Sequence, residues 1–208
     1  MVLLVTSISA QMNAAAHHYV WNSKTFVELN YKHTIESSKD LSAAERSALV
    51  GAISALLRPF MADLEIGSES ELRNIASQSR YRFIDLNDDR VPEVIVQPVG
   101  LKTGCGATGN CPFWVFVKTA QGYKAILDTR DKDGIGGVEL YRVEPTMSNA
   151  YHDISVVTHD TVSQKTVYIY SFIRNKYQAV HCYSLSWTPP DGIKEWRFHK
   201  MPLITTCN

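Results

Sequence analysis

The side chains best spaced for chemistry lie in one acidic segment, residues 85–93, which reads DLNDDRVPE. Calcium takes about six to eight hard oxygen ligands, and a loop with the right spacing can curl its carboxylates around one ion, with a backbone carbonyl from position seven. Oxygen-bearing side chains stand at positions one, three, five and nine of this segment: Asp85, Asn87, Asp89 and Glu93. The sequence therefore predicts a candidate calcium loop.

The acidic segment resembles the calcium hairpins of integrin-type FG-GAP and VCBS repeats. Those repeats normally carry glycine at position six, where the backbone turns sharply, whereas this chain carries Arg90. Arginine disfavours a positive φ and brings a cation beside the proposed ion. The alternative is a polar hairpin whose Asp and Asn side chains bond their own backbone, with Arg90 lying over the carboxylates. We therefore expect the loop to fold without calcium.

The four cysteines predict two disulfides. Cys105 and Cys111 lie close together in a glycine-rich loop and form the natural local pair. Cys182 would then bond Cys207 and pin the C-terminal tail onto a strand. Other pairings, or free thiols in a cytosolic protein, are the alternatives. A zinc site has little support, because the sequence contains no C-x-x-C pair.

The first residues resemble the end of a secretory signal. An apolar stretch runs to Ala10, and small-residue cleavage sites follow Ala10 and Ala16, although no Lys or Arg precedes the stretch. Residues 1–16 are therefore predicted to be a signal-peptide remnant, with a frayed or strand-forming N-terminus as the alternative. Together with the cysteines, this predicts an exported protein, periplasmic or secreted. No apolar run is long enough for a transmembrane segment.

Composition and charge narrow the class of protein. The chain is 45% hydrophobic and 20% charged, which is ordinary for a globular domain. Lys+Arg and Asp+Glu both number 21, so the formal net charge is zero. Zero net charge argues against nucleic acid or an anionic membrane as a partner. Residues 17–208 are predicted to form a single domain, since the interior contains no low-complexity linker.

The pattern of apolar residues predicts an α+β fold, with N-terminal helices packed on an antiparallel β-meander sheet. A helix is expected over residues 41–58, capped by Ser38 or Asp40 and ended by Pro59, and a second helical stretch over 61–75. We expect residues 113–118 to lie at the centre of one sheet, because both faces of that run are apolar. Further strands are predicted at residues 26–29, 81–85, 91–97, 123–128, 151–158, 165–173 and 176–183.

Residues 41–187 resemble a group of uncharacterised secreted bacterial proteins. The segments that carry the resemblance include the acidic DLxxDxxPE loop and GNCxFWVF at residues 109–116, with further matches at 41–46, 151–154 and 177–183. The resemblance implies export, a disulfide loop and a β-rich fold. It implies no activity.

No catalytic motif is found. Residues 104–109 match G-x-G-x-x-G, but a strand follows where a dinucleotide site needs a helix. His152 and Asp153 are adjacent on a predicted strand and should face opposite ways. The leading hypothesis is an exported non-enzymatic binding module for an unknown protein or glycan, with no cofactor unless calcium binds. The alternatives are an envelope hydrolase, or an inhibitor or immunity protein that inserts the Cys105–Cys111 loop into an exported enzyme.

Overall fold

The computed structural model describes residues 19–28, 33–106, 110–130, 137–187 and 201–207. The predicted signal remnant, residues 1–16, lies outside them. Within the described residues, two α-helices accompany nine β-strands in two antiparallel sheets. The helices are α1 (Ala43–Leu57) and α2 (Glu69–Ser77). The strands are β1 (Arg80–Ile84), β2 (Glu93–Gln97), β3 (Trp114–Thr119), β4 (Gly122–Asp128), β5 (Leu140–Ser148), β6 (Tyr151–Thr161), β7 (Gln164–Ile173), β8 (Lys176–Ser186) and β9 (Leu203–Thr206).

Helix α1 begins at a capping box. The Ser42 hydroxyl accepts the Glu45 N–H at 3.2 Å, and the Glu45 carboxylate accepts the Ser42 N–H at 2.9 Å. Two otherwise unpaired N–H groups are thereby satisfied. The expected caps, Ser38 and Asp40, were wrong. The Ser38 hydroxyl instead accepts the Leu41 N–H at 3.1 Å, one turn earlier in the chain.

The first sheet has the strand order β1-β2-β3-β4 and is buried on both faces along its central strands. Every residue of β2 is buried, and both Trp114 and Val115 of β3 are 0% exposed. Val94, Val96 and Trp114 pack with the helices, while Ile95 and Val115 pack on the opposite side. The prediction of a central strand at residues 113–118 is confirmed.

The second sheet has the strand order β5-β6-β7-β8-β9. Arg174 and Asn175 join β7 to β8, and both have positive φ, as a two-residue hairpin turn requires. The expectation of one sheet was wrong, because the meander breaks between β4 and β5. Strand β7 is covered on its inner face by the first sheet rather than by a helix, and Tyr170 and Phe172 belong to that shared core.

The layers are therefore helices, first sheet and second sheet. The outer face of the second sheet is partly covered by residues 19–28, where Tyr19, Trp21 and Phe26 pack against Val157 and neighbouring side chains. The expected strand at residues 26–29 is reduced to a single bridge between Val27 and Tyr141 of β5. Leu29 lies outside the described residues. Residues 19–28 contact only part of that face.

Both predicted disulfides lie at bonding distance. Cys105 pairs with Cys111, and Cys182 of β8 pairs with Cys207 beyond β9. The Cys207 N–H also donates to the Cys182 carbonyl at 3.0 Å. The second disulfide therefore fastens the last strand to the sheet, as the sequence predicted.

Replacing Cys182 and Cys207 by serine is expected to lower the free energy of unfolding by about 3 kcal/mol, and the Cys105/Cys111 double serine variant by about 2 kcal/mol. The order follows from loop length, because the longer loop restricts the unfolded chain more. Urea unfolding without reductant measures both values. The reverse order would contradict this entropic account.

Candidate functional site

The acidic loop between β1 and β2 is held by bonds from its own backbone. Asp85 Oδ2 accepts the Arg90 N–H at 2.9 Å, and Asp89 Oδ1 accepts the Val91 N–H at 2.7 Å. Asn87 Oδ1 accepts the Asp89 N–H at 3.2 Å. Asp and Asn side chains that bond nearby backbone in this way stabilise a turn directly.

Arg90 adopts a φ of 67°, which is the left-handed conformation that glycine takes at position six of a calcium hairpin. Arginine disfavours this conformation, yet Arg90 adopts it. Its backbone N–H, rather than its guanidinium, holds the turn. Within the described residues, no ion pair joins Arg90 to the loop carboxylates. The hydrogen bond to Asp85 offsets the backbone strain.

The loop fits a calcium ion only in part. Asp85 Oδ1 is buried without a hydrogen-bond partner among the described residues, so it could ligate a cation. However, nowhere in the described part of the chain do three His, Cys, Asp or Glu side chains form a group able to hold a metal. The loop therefore carries the oxygen spacing of a calcium hairpin at Asp85, Asn87, Asp89 and Glu93, but the carboxylates among the described residues do not converge into a metal-binding group.

We expect millimolar calcium and chelator to leave the thermal midpoint essentially unchanged, because backbone N–H groups already close the loop. Asp89→Ala should instead lower the free energy of unfolding by about 1 kcal/mol, since the Val91 N–H loses its acceptor. Thermal unfolding with and without calcium measures both effects, with exposed Asp63→Ala as the control. A rise of several degrees with calcium, abolished by Asp89→Ala, would establish a calcium site.

Glu93 lies beneath the loop and is 3% exposed. Its Oε2 accepts the Leu86 N–H at 2.8 Å. Burial raises the pKa of the Glu93 carboxyl, the negative charges of Asp89 and Asp85 raise it further, and the Leu86 N–H opposes them. The folded protein therefore binds this proton more tightly than the unfolded chain does.

A raised pKa predicts that Glu93 reduces stability as the pH rises above the ordinary glutamate range, because ionisation is harder in the folded state. Glu93→Gln removes this titration while its amide oxygen can still accept the Leu86 N–H. The thermal midpoint of the variant relative to the parent should therefore increase between about pH 4 and about pH 8. A difference that stays constant with pH would contradict the assignment.

A second candidate site lies on the outer face of the second sheet. There a cavity of about 500 Å³ opens beside the N-terminal segment. We call it the outer-face pocket. His181 and Tyr183 of β8 line one side. The remaining polar side chains come from β5, β6, β7 and the N-terminal segment: Tyr19, Arg142, Glu144, Thr146, Ser148, Asp153 and Ser171.

Arg142 and Glu144 form a partly buried ion pair in this pocket, at 2.6 Å between Nη2 and Oε1. Arg142 Nε donates to the same carboxylate oxygen at 2.8 Å, and the Ser155 hydroxyl also donates to it. Arg142 Nη1 donates to Thr25 at 2.8 Å, and the guanidinium lies 4.7 Å from the Phe26 ring centroid. The arginine therefore ties the N-terminal segment to β5.

Asp153 is 7% exposed and lines the same pocket. Its Oδ2 accepts the Thr146 hydroxyl at 2.8 Å, while its Oδ1 is buried and has no hydrogen-bond partner among the described residues. The Tyr19 hydroxyl is also buried and has no hydrogen-bond partner among the described residues. Burial raises the pKa of Tyr19 to about 12, against the opposing charge of Arg142, so the hydroxyl stays protonated at neutral pH. Two residues that line this pocket, Asp153 and Tyr19, thus each carry a buried polar atom without a hydrogen-bond partner among the described residues.

The expectation that His152 and Asp153 face opposite ways is confirmed. His152 Nδ1 bonds the Glu144 carbonyl at 2.8 Å and its Nε2 lies 3.5 Å from Asp88 in the acidic loop, whereas Asp153 bonds Thr146 on the outer face. Alternation along β6 therefore separates the two side chains, as a strand requires.

Sequence reasoning missed β5 and with it Arg142 and Glu144. The signal was present, since polar residues alternate with Tyr141 and Val143 along the strand. Pro145 argued against a strand assignment, because proline has no backbone N–H to donate to a neighbouring strand. In the structure the ladder is irregular between Val143 and Met147, so the proline is accommodated there.

Comparisons of the chain with protein-family models, curated proteins and solved structures found no match. In the described part of the chain, no helix is long and apolar enough to cross a membrane.

Proposed function

We propose that this protein is an exported, non-enzymatic binding module that holds a sugar residue of a glycan in the outer-face pocket. The observation that carries the proposal is the buried Asp153 carboxylate, whose Oδ1 lacks a partner within the described chain while its residue lines a cavity of about 500 Å³. A buried acceptor without a partner is unfavourable, and a ligand that donates a hydrogen bond removes that penalty.

The shape and chemistry of the pocket favour a small polar ligand over a flat protein surface. A cavity with a few convergent polar groups is typical of small-ligand sites. Hydroxyls from Thr146, Ser148, Ser171 and Tyr19 accompany the two carboxylates, and each hydroxyl can both donate and accept. Sugar hydroxyls have the same dual character, so they can satisfy both kinds of group.

Export is supported by the two disulfides, because such bonds persist in oxidising compartments. The resemblance of residues 41–187 to secreted bacterial proteins stays a prediction. So does inhibition by the Cys105–Cys111 loop, since residues 107–109 of that loop lie outside the described residues.

Binding is favoured over hydrolysis by the contacts of Glu144. Its Oε1 accepts hydrogen bonds from Arg142 and from the Ser155 hydroxyl, so this oxygen is already engaged by the protein itself. A glycosidase with a paired-carboxylate mechanism needs both carboxyl groups to act on the scissile bond. The Glu144–Arg142 pair is better suited to holding the pocket in shape.

The test is a glycan-binding screen followed by calorimetry with the best ligand, using the parent and Asp153→Asn. The variant is expected to weaken binding by about tenfold or more, because a hydrogen bond to a charged acceptor is lost. Asp160→Asn is the matched control, since Asp160 lies on the same strand and bonds Thr158 and Thr166 outside the pocket.

Two results would contradict this function. Binding that is equally strong in Asp153→Asn would place the ligand elsewhere on the molecule. Release of new reducing ends from a bound glycan would make the protein a hydrolase instead.

A further inference from the structure

We infer that the outer-face pocket recognises a primary ammonium group, carried by an amino sugar of the glycan, which pairs with the Asp153 carboxylate. The inference rests on the proposed function and specifies its ligand class. It follows from the charges around Asp153, from the geometry that fixes its carboxylate and from the groups that surround it.

The pocket carries a negative charge that its own cation does not balance. The one arginine in the lining is paired with Glu144 at 2.6 Å, so Arg142 is already neutralised. Asp153 has no ion pair within the described residues. His181 also lines the pocket, where its side chain is exposed to solvent. A buried carboxylate without a cation is strongly unfavourable, and a ligand ammonium restores the balance.

The Asp153 carboxylate is oriented before any ligand arrives. The Thr146 hydroxyl donates to Oδ2 at 2.8 Å, which fixes the orientation of the carboxylate at the wall of the pocket. An anionic ligand is disfavoured here, because it would meet Asp153 while Arg142 is engaged elsewhere. A neutral hydroxyl would satisfy the hydrogen bond but leave the charge uncompensated.

The surrounding hydroxyls favour an amino sugar over a simple alkylammonium. The Tyr19 hydroxyl is buried without a described partner, and Ser148 and Ser171 also line the cavity. These groups need a ligand that offers several donors and acceptors around its ammonium. A hexosamine ring with a free amine provides both within the size of one sugar residue.

Three tetrasaccharides with the same β-1,4 backbone test the inference, because they differ only at carbon two: chitosan tetraose with an ammonium, chitin tetraose with an acetamide and cellotetraose with a hydroxyl. The oxygens of the sugar ring lower the pKa of its amine below that of lysine, so calorimetry at about pH 5 keeps the amine protonated. We expect chitosan tetraose to bind at least about tenfold more tightly than the other two. Asp153→Asn should abolish that preference, and Asp160→Asn should keep it.

Thr146→Val provides a second variant that retains the carboxylate. Freed from the Thr146 hydroxyl, Asp153 should lose part of its orientation, so binding of chitosan tetraose should weaken several-fold. Circular dichroism and the thermal midpoint establish that each variant is folded. If Asp153→Asn does not fold, an unchanged affinity in folded Thr146→Val overturns the inference.

The outcomes separate this inference from the proposed function. If all three tetrasaccharides bind equally and Asp153→Asn abolishes that binding, the inference of ammonium recognition is wrong and the proposed glycan site still stands. If a lysine peptide binds more tightly than chitosan tetraose, the inference that an amino sugar carries the ammonium is wrong. Binding of no glycan at all overturns both proposals.

Discussion

The architecture depends on one constraint, which is that the first sheet must be buried on both faces. Strands β2 and β3 carry large apolar side chains on both sides, and Trp114, Val115 and Phe116 are all 0% exposed. One face can be satisfied by the helices, but the other needs a second apolar layer of comparable width. The second sheet supplies it through Tyr141, Ile154 and the residues that pack with them.

This constraint also decides where a ligand site can lie. The inner face of the second sheet contributes to the core between the sheets, and the outer-face pocket lies on its other side. Residues 19–28 cover the apolar part of that face, around Val157 and Val167. The polar part, around Asp153 and Glu144, borders the cavity. Alternation along β5 and β6 thus gives one pair of strands both a core face and a polar face.

The acidic loop contributes to the joint between the two sheets. Leu86 is 0% exposed and belongs to the core between the sheets, and its carbonyl accepts the His152 N–H of β6 at 2.7 Å. The hydroxyl of Tyr177 in β8 donates to the His152 carbonyl at 2.7 Å. A segment that resembles a metal loop in sequence therefore has a structural role in the fold, whether or not it also binds an ion.

The sequence alone determined the local features whose cause is local. Apolar periodicity located α1, the continuous apolar run located β3, and the Arg174–Asn175 turn located the β7–β8 hairpin. The two cysteine pairs also followed from spacing, whereas the cap residue was placed at Ser38 or Asp40 instead of Ser42. Export, the family resemblance and calcium binding are still predictions.

Only the tertiary structure decided how many sheets form and which polar residues meet. Nothing local distinguishes a meander that continues from one that breaks between β4 and β5, because the choice depends on which apolar faces can be buried together. Arg142 and Asp153 share a pocket because β5 pairs with β6 in one register and the N-terminal segment folds back over them. A one-residue change of register would turn those side chains to the opposite face, and sequence spacing carries no information about pairing across strands.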